Sequence, residues 1–253
     1  MRDDWHVNRD NMKSVSWRDE ELSPSSLYSP IVCTEINDGR SEVEVDVIVE
    51  ESFRLYLDDS HITTFVATPD ELRELAIGHL ICEGFIDSAK DIASIEIEND
   101  LIECVSKKCT SLLDNSSSDV FFDRNDIFRA ISHIKQDAKL WRRTGGTHSS
   151  IVLSSKGEII SFCEDISRSC SVDKAVGKAA LGGSDLSQCA IVTTGRLSVT
   201  MVSKALNAGL SMMASKAAPV REGVMLAREK GVTLVAFARD PYMYVYSADE
   251  RII

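Results

Sequence analysis

The chain of 253 residues is long enough for one large domain or two small ones, and its 43% hydrophobic and 27% charged content is ordinary for a globular protein. With 40 acidic against 28 basic residues the formal charge is −12, a field that repels polyanions and argues against a general nucleic-acid or anionic-membrane binder. No apolar run reaches the ~18 residues of a membrane span, and the polar N-terminus is unlike a secretory signal.

Residues 1–30 carry Trp5, Trp17 and Tyr28 without a sustained period and end in Ser-Pro-rich sequence, which reads as a flexible arm. Val43, Val45, Val47 and Val49 alternate, predicting a strand over 42–49, with further strands over 54–57 and 62–67. Thr68-Pro69-Asp70-Glu71 is a helix start: Thr68 as cap, Pro69 in the first turn, Glu71 closing a capping box. Leu72, Leu75, Ala76, His79 and Leu80 then form an apolar face, and Gly84 is a stop. Residues 92–105 read as a strand pair or one long strand. A polar loop follows, Ser106-Lys107-Lys108-Cys109-Thr110-Ser111 and then 114–119. Asp123 opens a helix bearing Ile127, Ile131, Ile134 and Ala138, ending near Trp141.

The remaining sequence has a different texture, with ten of the thirteen glycines at or after Gly145. Residues 151–153 and 158–162 read as a hairpin around Gly157. Ser171 is placed to cap a short helix ending at Gly182-Gly183. Strands over 189–193, 210–214 and 232–237 alternate with helices over 198–208 and 220–230, which means parallel βαβ units with right-handed crossovers. A last strand over 242–246 pairs at the edge. The expected organisation is α/β: an arm over 1–30, a small mixed α+β subdomain over 31–120 ending in the cysteine loop, and an α/β subdomain over 121–253.

Ligands of parallel sheets sit beyond the carboxyl ends of the strands. There stand Thr194-Gly195-Arg196, Ser215-Lys216 and Ala238-Arg239-Asp240, a cation at each strand end of an acidic protein. Together with turn N–H groups and helix N-termini they suit a phosphate or pyrophosphate. Gly145-Gly146-Thr147-His148 is a candidate further wall.

Seven cysteines, at 33, 82, 104, 109, 163, 170 and 189, form no tight framework, so free thiols in a reducing cytoplasm are expected. Cys82, Cys104 and Cys189 read as small buried residues. Cys109 follows two lysines in a polar loop, where positive charge favours the thiolate of a nucleophile or sulfur carrier. The same placement suits an incidental surface thiol. No Cys-x-x-Cys pair, zinc-deaminase set, P-loop, G-x-S-x-G or dinucleotide-binding glycine fingerprint occurs, and no structural metal is expected.

Ala67-Thr-Pro-Asp-Glu-Leu72, Glu83-Gly-Phe-Ile86, Thr144-Gly-Gly-Thr-His148, Glu164-Asp165 with Val172-Asp-Lys174, Thr194-Gly-Arg-Leu-Ser198 and the segment 231–239 occur in that order. Over about residues 40–247 the chain resembles the FdhD/NarQ family of formate dehydrogenase accessory sulfurtransferases. The resemblance implies a C-terminal part with the three-layer cytidine-deaminase-like α/β architecture, without its zinc, and a homodimer. It implies sulfur accepted from a cysteine desulfurase as a persulfide on Cys109 and passed to bis-molybdopterin guanine dinucleotide for formate dehydrogenase or a related molybdoenzyme. The family's cofactor segment falls on Phe237, Ala238, Arg239, Asp240, Pro241 and Tyr242, the third cationic strand end.

Two departures are visible. Leu112 stands where the family usually has a second loop cysteine, and its Gly-Arg-His-Asn segment reads Ser167-Arg168-Ser169-Cys170. Without a second thiol the loop lacks a resolving partner. A cofactor-binding chaperone without efficient sulfur transfer is therefore an alternative, as is, more remotely, a nucleotide-processing enzyme using His148 and Asp165.

Overall fold

The computed structural model describes residues 27–107 and 120–253. The alternating valines fold as β2 (Arg40–Ile48), paired antiparallel along its length with β1 (Tyr28–Ile36). β1 starts at Tyr28, so the last three residues of the expected arm belong to a strand. A tertiary contact fastens it: the Arg143 guanidinium lies 4.0 Å from the Tyr28 ring centroid and donates to Asp46 of β2 at 2.7 Å. That partner lies far along the chain, and β1 has little period of its own.

Four strands, β3 (Glu51–Leu57), β4 (Ser60–Ala67), β5 (Ile92–Glu98) and β6 (Leu101–Ser106), make a sheet in the order β4-β3-β6-β5. The 92–105 stretch is thus a strand pair. Phe53, Leu55, Phe65, Ala67, Ile102 and Cys104 are buried on this sheet. The helix they meet, α1 (Leu72–Cys82), starts at Leu72 with Glu71 in the left-handed region (φ 48°) and no side-chain cap. The predicted capping box does not form. The Thr68 hydroxyl is engaged instead with the neighbouring Asp70 and with the distant Asp165 and Lys174, charges that outbid a local N–H.

α2 (Arg124–Asp137) is capped as expected, the Asp123 carboxylate accepting the Asn125 N–H at 2.7 Å. It stops at Ala138, and the segment to Trp141 belongs to a separate short helix, α3 (Lys139–Thr144). The second sheet has six strands: β7 (His148–Ser154), β8 (Ile159–Asp165), β9 (Cys189–Thr193), β10 (Met212–Ser215), β11 (Thr233–Arg239) and β12 (Tyr242–Ser247). Their order is β12-β11-β10-β9-β7-β8, with β9, β10 and β11 parallel and β12 antiparallel at the edge. The crossovers are α5 (Val199–Asn207) and α6 (Arg221–Lys230). Helix α4 (Arg168–Leu181) links β8 to β9. Its cap is Ser167, one turn before the expected Ser171, which is buried against Ser150.

Helices α4, α5 and α6 pack on one face of this sheet, against Val152, Ile191, Met213, Leu234 and Ala236. The same apolar cluster runs on through α1 to Phe53, Leu55 and Ile102 of the four-stranded sheet. Helix α2 covers the opposite face through Ile127, Ala130 and Ile134. The expected mixed α/β fold is therefore present, and the two expected subdomains share one core.

Helices α1 and α4 cross almost backbone to backbone. A Cβ added to Gly78 would lie 1.7 Å from the Asp173 carbonyl oxygen, and one added to Gly177 would lie 1.9 Å from that of Glu74. Among the described residues no helix is long and apolar enough to cross a membrane.

Candidate functional site

Adjacent parallel strands bring the three cationic ends to one edge. The turn after β9 is stitched to the turn after β10 by Leu197 N–H to Ala218 C=O (3.1 Å) and by the Ser215 hydroxyl to Gly195 C=O (2.7 Å). Phe237 N–H donates to Ala217 C=O at 3.1 Å and joins the β11 end to the same seam. Arg196 and Arg239 are exposed on this edge, and the Lys216 ammonium stands 5.6 Å from the Trp141 ring centroid.

Trp141 is held by Glu164 at the end of β8. One carboxylate oxygen accepts the Leu140 N–H (3.0 Å); the other accepts the Trp141 N–H (2.9 Å) and the Thr147 hydroxyl (3.0 Å). Glu164 thus ties α3 to the Gly145-Gly146-Thr147-His148 turn, the wall expected from sequence. Gly145 takes φ 70° at the end of α3, a conformation that glycine adopts without strain.

His148 opens β7 next to the β9 end. Its Nδ1 is 3.0 Å from Thr194 Oγ1, which also accepts the Ser149 N–H at 3.1 Å. Burial, followed by the charges of Arg168 and Lys216, holds the imidazole below its usual pKa, with Asp165 opposing them. The Arg168 stem crosses Gly195: a Cβ there would fall 2.8 Å from the Arg168 Cβ. The Arg168 Nε is buried without a hydrogen-bond partner. Beneath, Ser150 bonds Ser171 (2.8 Å) and Thr193 (3.0 Å), closing the space between sheet and α4 with satisfied hydroxyls.

Asp165 lies directly across from His148 in the β7–β8 register, so both side chains leave the same face of the sheet. Its carboxylate is nevertheless committed elsewhere. One oxygen accepts Ser167 N–H (2.8 Å), while the other meets Thr68 N–H (3.1 Å), the Thr68 hydroxyl (2.9 Å) and the Lys174 ammonium (2.8 Å). No His–Asp dyad forms, which removes the geometric basis for a nucleotide-processing enzyme built on that pair.

The segment Phe237, Ala238, Arg239, Asp240, Pro241 and Tyr242 forms the end of β11 and its turn into β12. Ala238 is buried, while Phe237, Arg239, Asp240, Pro241 and Tyr242 are exposed. Phe237 has φ 52°, an unusual conformation for an aromatic residue, at a register shift between β11 and β12. Its ring meets Tyr244 edge to face, with centroids 5.9 Å apart. Aromatic surface beside Arg239 and the seam to Lys216 suits a base with a charged tail.

Cys109 and Lys108 lie outside the described residues. Lys107, at the end of β6, sends its ammonium to the Lys90 carbonyl at 2.6 Å. Five described cysteines, at 82, 104, 163, 170 and 189, are buried, and Cys33 is exposed on β1. Burial pushes the Cys104 and Cys189 thiols up to about 11 and Cys170 to about 12, and raises Cys82 and Cys163 as well.

Sequence reading passed over Trp141 and Arg168 as participants. The signals were faint: a tryptophan read only as a helix end, and an arginine noted only for the family segment it interrupts.

The architecture and this edge define a mixed α/β protein with basic side chains at the carboxyl ends of its parallel strands. The FdhD/NarQ family model matches residues 48–116 and 105–253, and the chain belongs to that family. It is 31% identical over 249 residues to the sulfur carrier protein FdhD of Methanothermobacter thermautotrophicus, covering 90% of this chain and 100% of that one. The sulfur carrier protein FdhD of Wolinella succinogenes is 30% identical, with 88% of each chain covered. A putative formate dehydrogenase accessory protein from Desulfotalea psychrophila, known as a crystal structure, superposes with a TM-score of 0.80 at 28% identity, over 90% of this chain and 100% of that one.

Proposed function

We propose that this protein is a sulfur carrier in the maturation of formate dehydrogenase or a related molybdoenzyme, with Cys109 as the carrying thiol. The relatives named as sulfur carriers are similar along nearly the whole chain. Within the chain, the inventory of thiols carries the reading: five of the six described cysteines are buried and held as thiols, unfit to attack a sulfur donor. Cys109 follows Lys107 and Lys108 in sequence, and the resemblance sets it at the family's persulfide position.

The Cys109 thiolate attacks the outer sulfur of a persulfide on a cysteine desulfurase. A new S–S bond forms, the donor's S–S bond breaks, and the donor cysteine leaves as thiolate. The cargo is bis-molybdopterin guanine dinucleotide, held by Phe237, Ala238, Arg239, Asp240, Pro241 and Tyr242, with Arg196 and Lys216 balancing its phosphates. The exposed aromatic pair beside Arg239 supports that assignment. The proposed setting is cytoplasmic, and the proposed partners are the desulfurase, the client enzyme and a second copy of this chain.

Incubation with a cysteine desulfurase and cysteine, followed by peptide mass spectrometry, tests the carrier. The expected outcome is one added sulfur on the Cys109 peptide, retained in Cys33→Ala and lost in Cys109→Ala. An adduct that follows Cys33 instead overturns the assignment. Leu112, in place of the usual second cysteine, favours a second reading as a cofactor-binding chaperone. No adduct on any cysteine, with guanine-nucleotide binding intact, selects that reading. Arg239→Ala is expected to weaken guanosine diphosphate binding by about tenfold or more, as for loss of one charge-assisted contact; unchanged affinity in calorimetry removes the loop from the site.

A further inference from the structure

The chain enters and leaves the segment that carries Cys109 at two points, and the two are held differently. On the far side Val120 and Phe122 are buried, and Phe122 exchanges main-chain hydrogen bonds with Arg251 (2.8 Å) and Ile253 (3.0 Å). Core burial and backbone pairing account for that attachment. On the near side the end of β6 is held in part by a side chain from another turn. Ser106 gives its N–H to one Asp58 carboxylate oxygen (2.8 Å) and its hydroxyl to the other. Lys107 then donates its N–H to Asp91 C=O (2.6 Å) and its ammonium to Lys90 C=O (2.6 Å). The turn that receives Lys107 is itself closed, the Asp91 carboxylate accepting the Asp87 and Ser88 N–H groups at 3.1 and 2.8 Å.

Asp58 is an unusual residue for its place. Asp58 and Asp59 are the two central residues of the β3–β4 hairpin, between the paired Leu57 and Ser60, and both have positive φ, 49° and 64°. A two-residue turn with that backbone favours glycine and asparagine, and an Asp-Asp pair carries strain there. The first of the pair reaches β6 twice: its N–H bonds Cys104 C=O at 3.0 Å, and its carboxylate takes Ser106. The Ser106 hydroxyl and N–H hold that carboxyl below its usual pKa. Asp58 is exposed, so the contact fixes the end of a strand and adds nothing to the apolar core.

We propose that Asp58 is a positioning residue for sulfur transfer: by holding the Ser106 amide and hydroxyl it fixes the point from which the chain runs to Cys109. Cys109 follows three positions later, so its Cα stays within about 11 Å of the Ser106 Cα. A fixed point that close narrows the volume the thiolate searches. Attack on the outer sulfur of a donor persulfide depends on such alignment, and small displacements of a nucleophile slow a reaction steeply. The role rests on the carrier reading of Cys109 above, and it gives Asp58 no contact with the reacting sulfurs.

The test mixes the full-length protein with a persulfide-loaded cysteine desulfurase and follows the Cys109 peptide by quenched-flow mass spectrometry over a range of desulfurase concentrations. Asp58→Gly suits the positive φ, so the hairpin is kept while the carboxylate is lost. It is expected to slow the maximal transfer rate by about ten- to a hundredfold. The half-saturating desulfurase concentration and the melting temperature should stay unchanged, while the Ser106 amide becomes fast in hydrogen exchange. Asp58→Asn tolerates the turn, keeps an acceptor for the amide and offers a donor to the hydroxyl oxygen, so it should retain most of the rate. Asp59→Gly, the same change one position on, should leave the rate as it is. Fast exchange at Ser106 with an unchanged transfer rate in Asp58→Gly overturns the positioning role and leaves Cys109 as the carrier. Equal loss in Asp58→Asn also overturns it, because charge and not hydrogen-bond geometry is then at work. So does a loss of rate that follows a lowered melting temperature in both glycine variants, which marks a general effect of the hairpin. Absence of sulfur on Cys109 in the unsubstituted chain overturns the carrier reading and this role together.

Discussion

Lys174 shows how much charge this core tolerates when it is paired. Its side chain is 0% exposed, and its ammonium reaches Asp165 at 2.8 Å and Asp70 at 2.6 Å. Burial works against that charge, but the two carboxylates outweigh it, and the pKa ends above the usual lysine value. A raised folded pKa gives stability that is complete below the unfolded value of about 10.4 and is lost as pH rises through the folded one. Lys174→Met is therefore expected to cost about 3–5 kcal/mol in urea unfolding at pH 7, because it strands Asp165 in the interior. The deficit should be the same at pH 9. Adding Asp165→Asn should restore part of it, since a neutral amide is cheaper to bury than a lone carboxylate.

At the scale of elements, α4 is the organising piece. Its N-terminus carries Arg168 to the site, its middle lies against α1, and its cap sets where both begin. Ser167→Ala removes the hydroxyl that accepts from Ser169 and Cys170, and should cost about 1 kcal/mol in thermal unfolding. Gly78→Ala at the α1–α4 crossing places a methyl on the Asp173 carbonyl and must push the helices apart. An expected loss of about 1–3 kcal/mol, read from the urea midpoint, follows from overpacking. Loss at Gly78 and tolerance at Gly39, where a Cβ meets nothing, would mark the effect as one of close approach.

Across the whole molecule, a single apolar cluster joins the four-stranded sheet, the helical layer and one face of the six-stranded sheet. A fragment spanning 120–253 would leave Val172, Ala175, Val176 and Ala179 of α4 without α1. It is expected to bind a hydrophobic dye and to lack cooperative unfolding, whereas the full chain keeps those groups buried. A fragment that melts cooperatively and stays monomeric would show two independent cores. The shared core also explains how Thr68, from one half, comes to hold Asp165 beside the site in the other, with Asp70 sharing the same Lys174 ammonium.

Local pattern carried a good deal of this protein. The strand over 189–193 has the bounds read from its apolar run, Asp123 caps α2, Gly84 ends α1, and the βαβ order places three cations at one sheet edge. Each of these depends on side-chain period or turn chemistry within a few residues. The family was legible too, because its motifs keep their order along the chain. Folding in three dimensions settled the rest. Thr68 and Ser171 look like caps, but distant charges and buried hydroxyls claim them. His148 meets Thr194 through a strand register spanning over forty positions, and the Arg168 stem finds room only because Gly195 carries no Cβ. Period repeats within one element, whereas the satisfaction of a buried polar group depends on which distant segment arrives beside it.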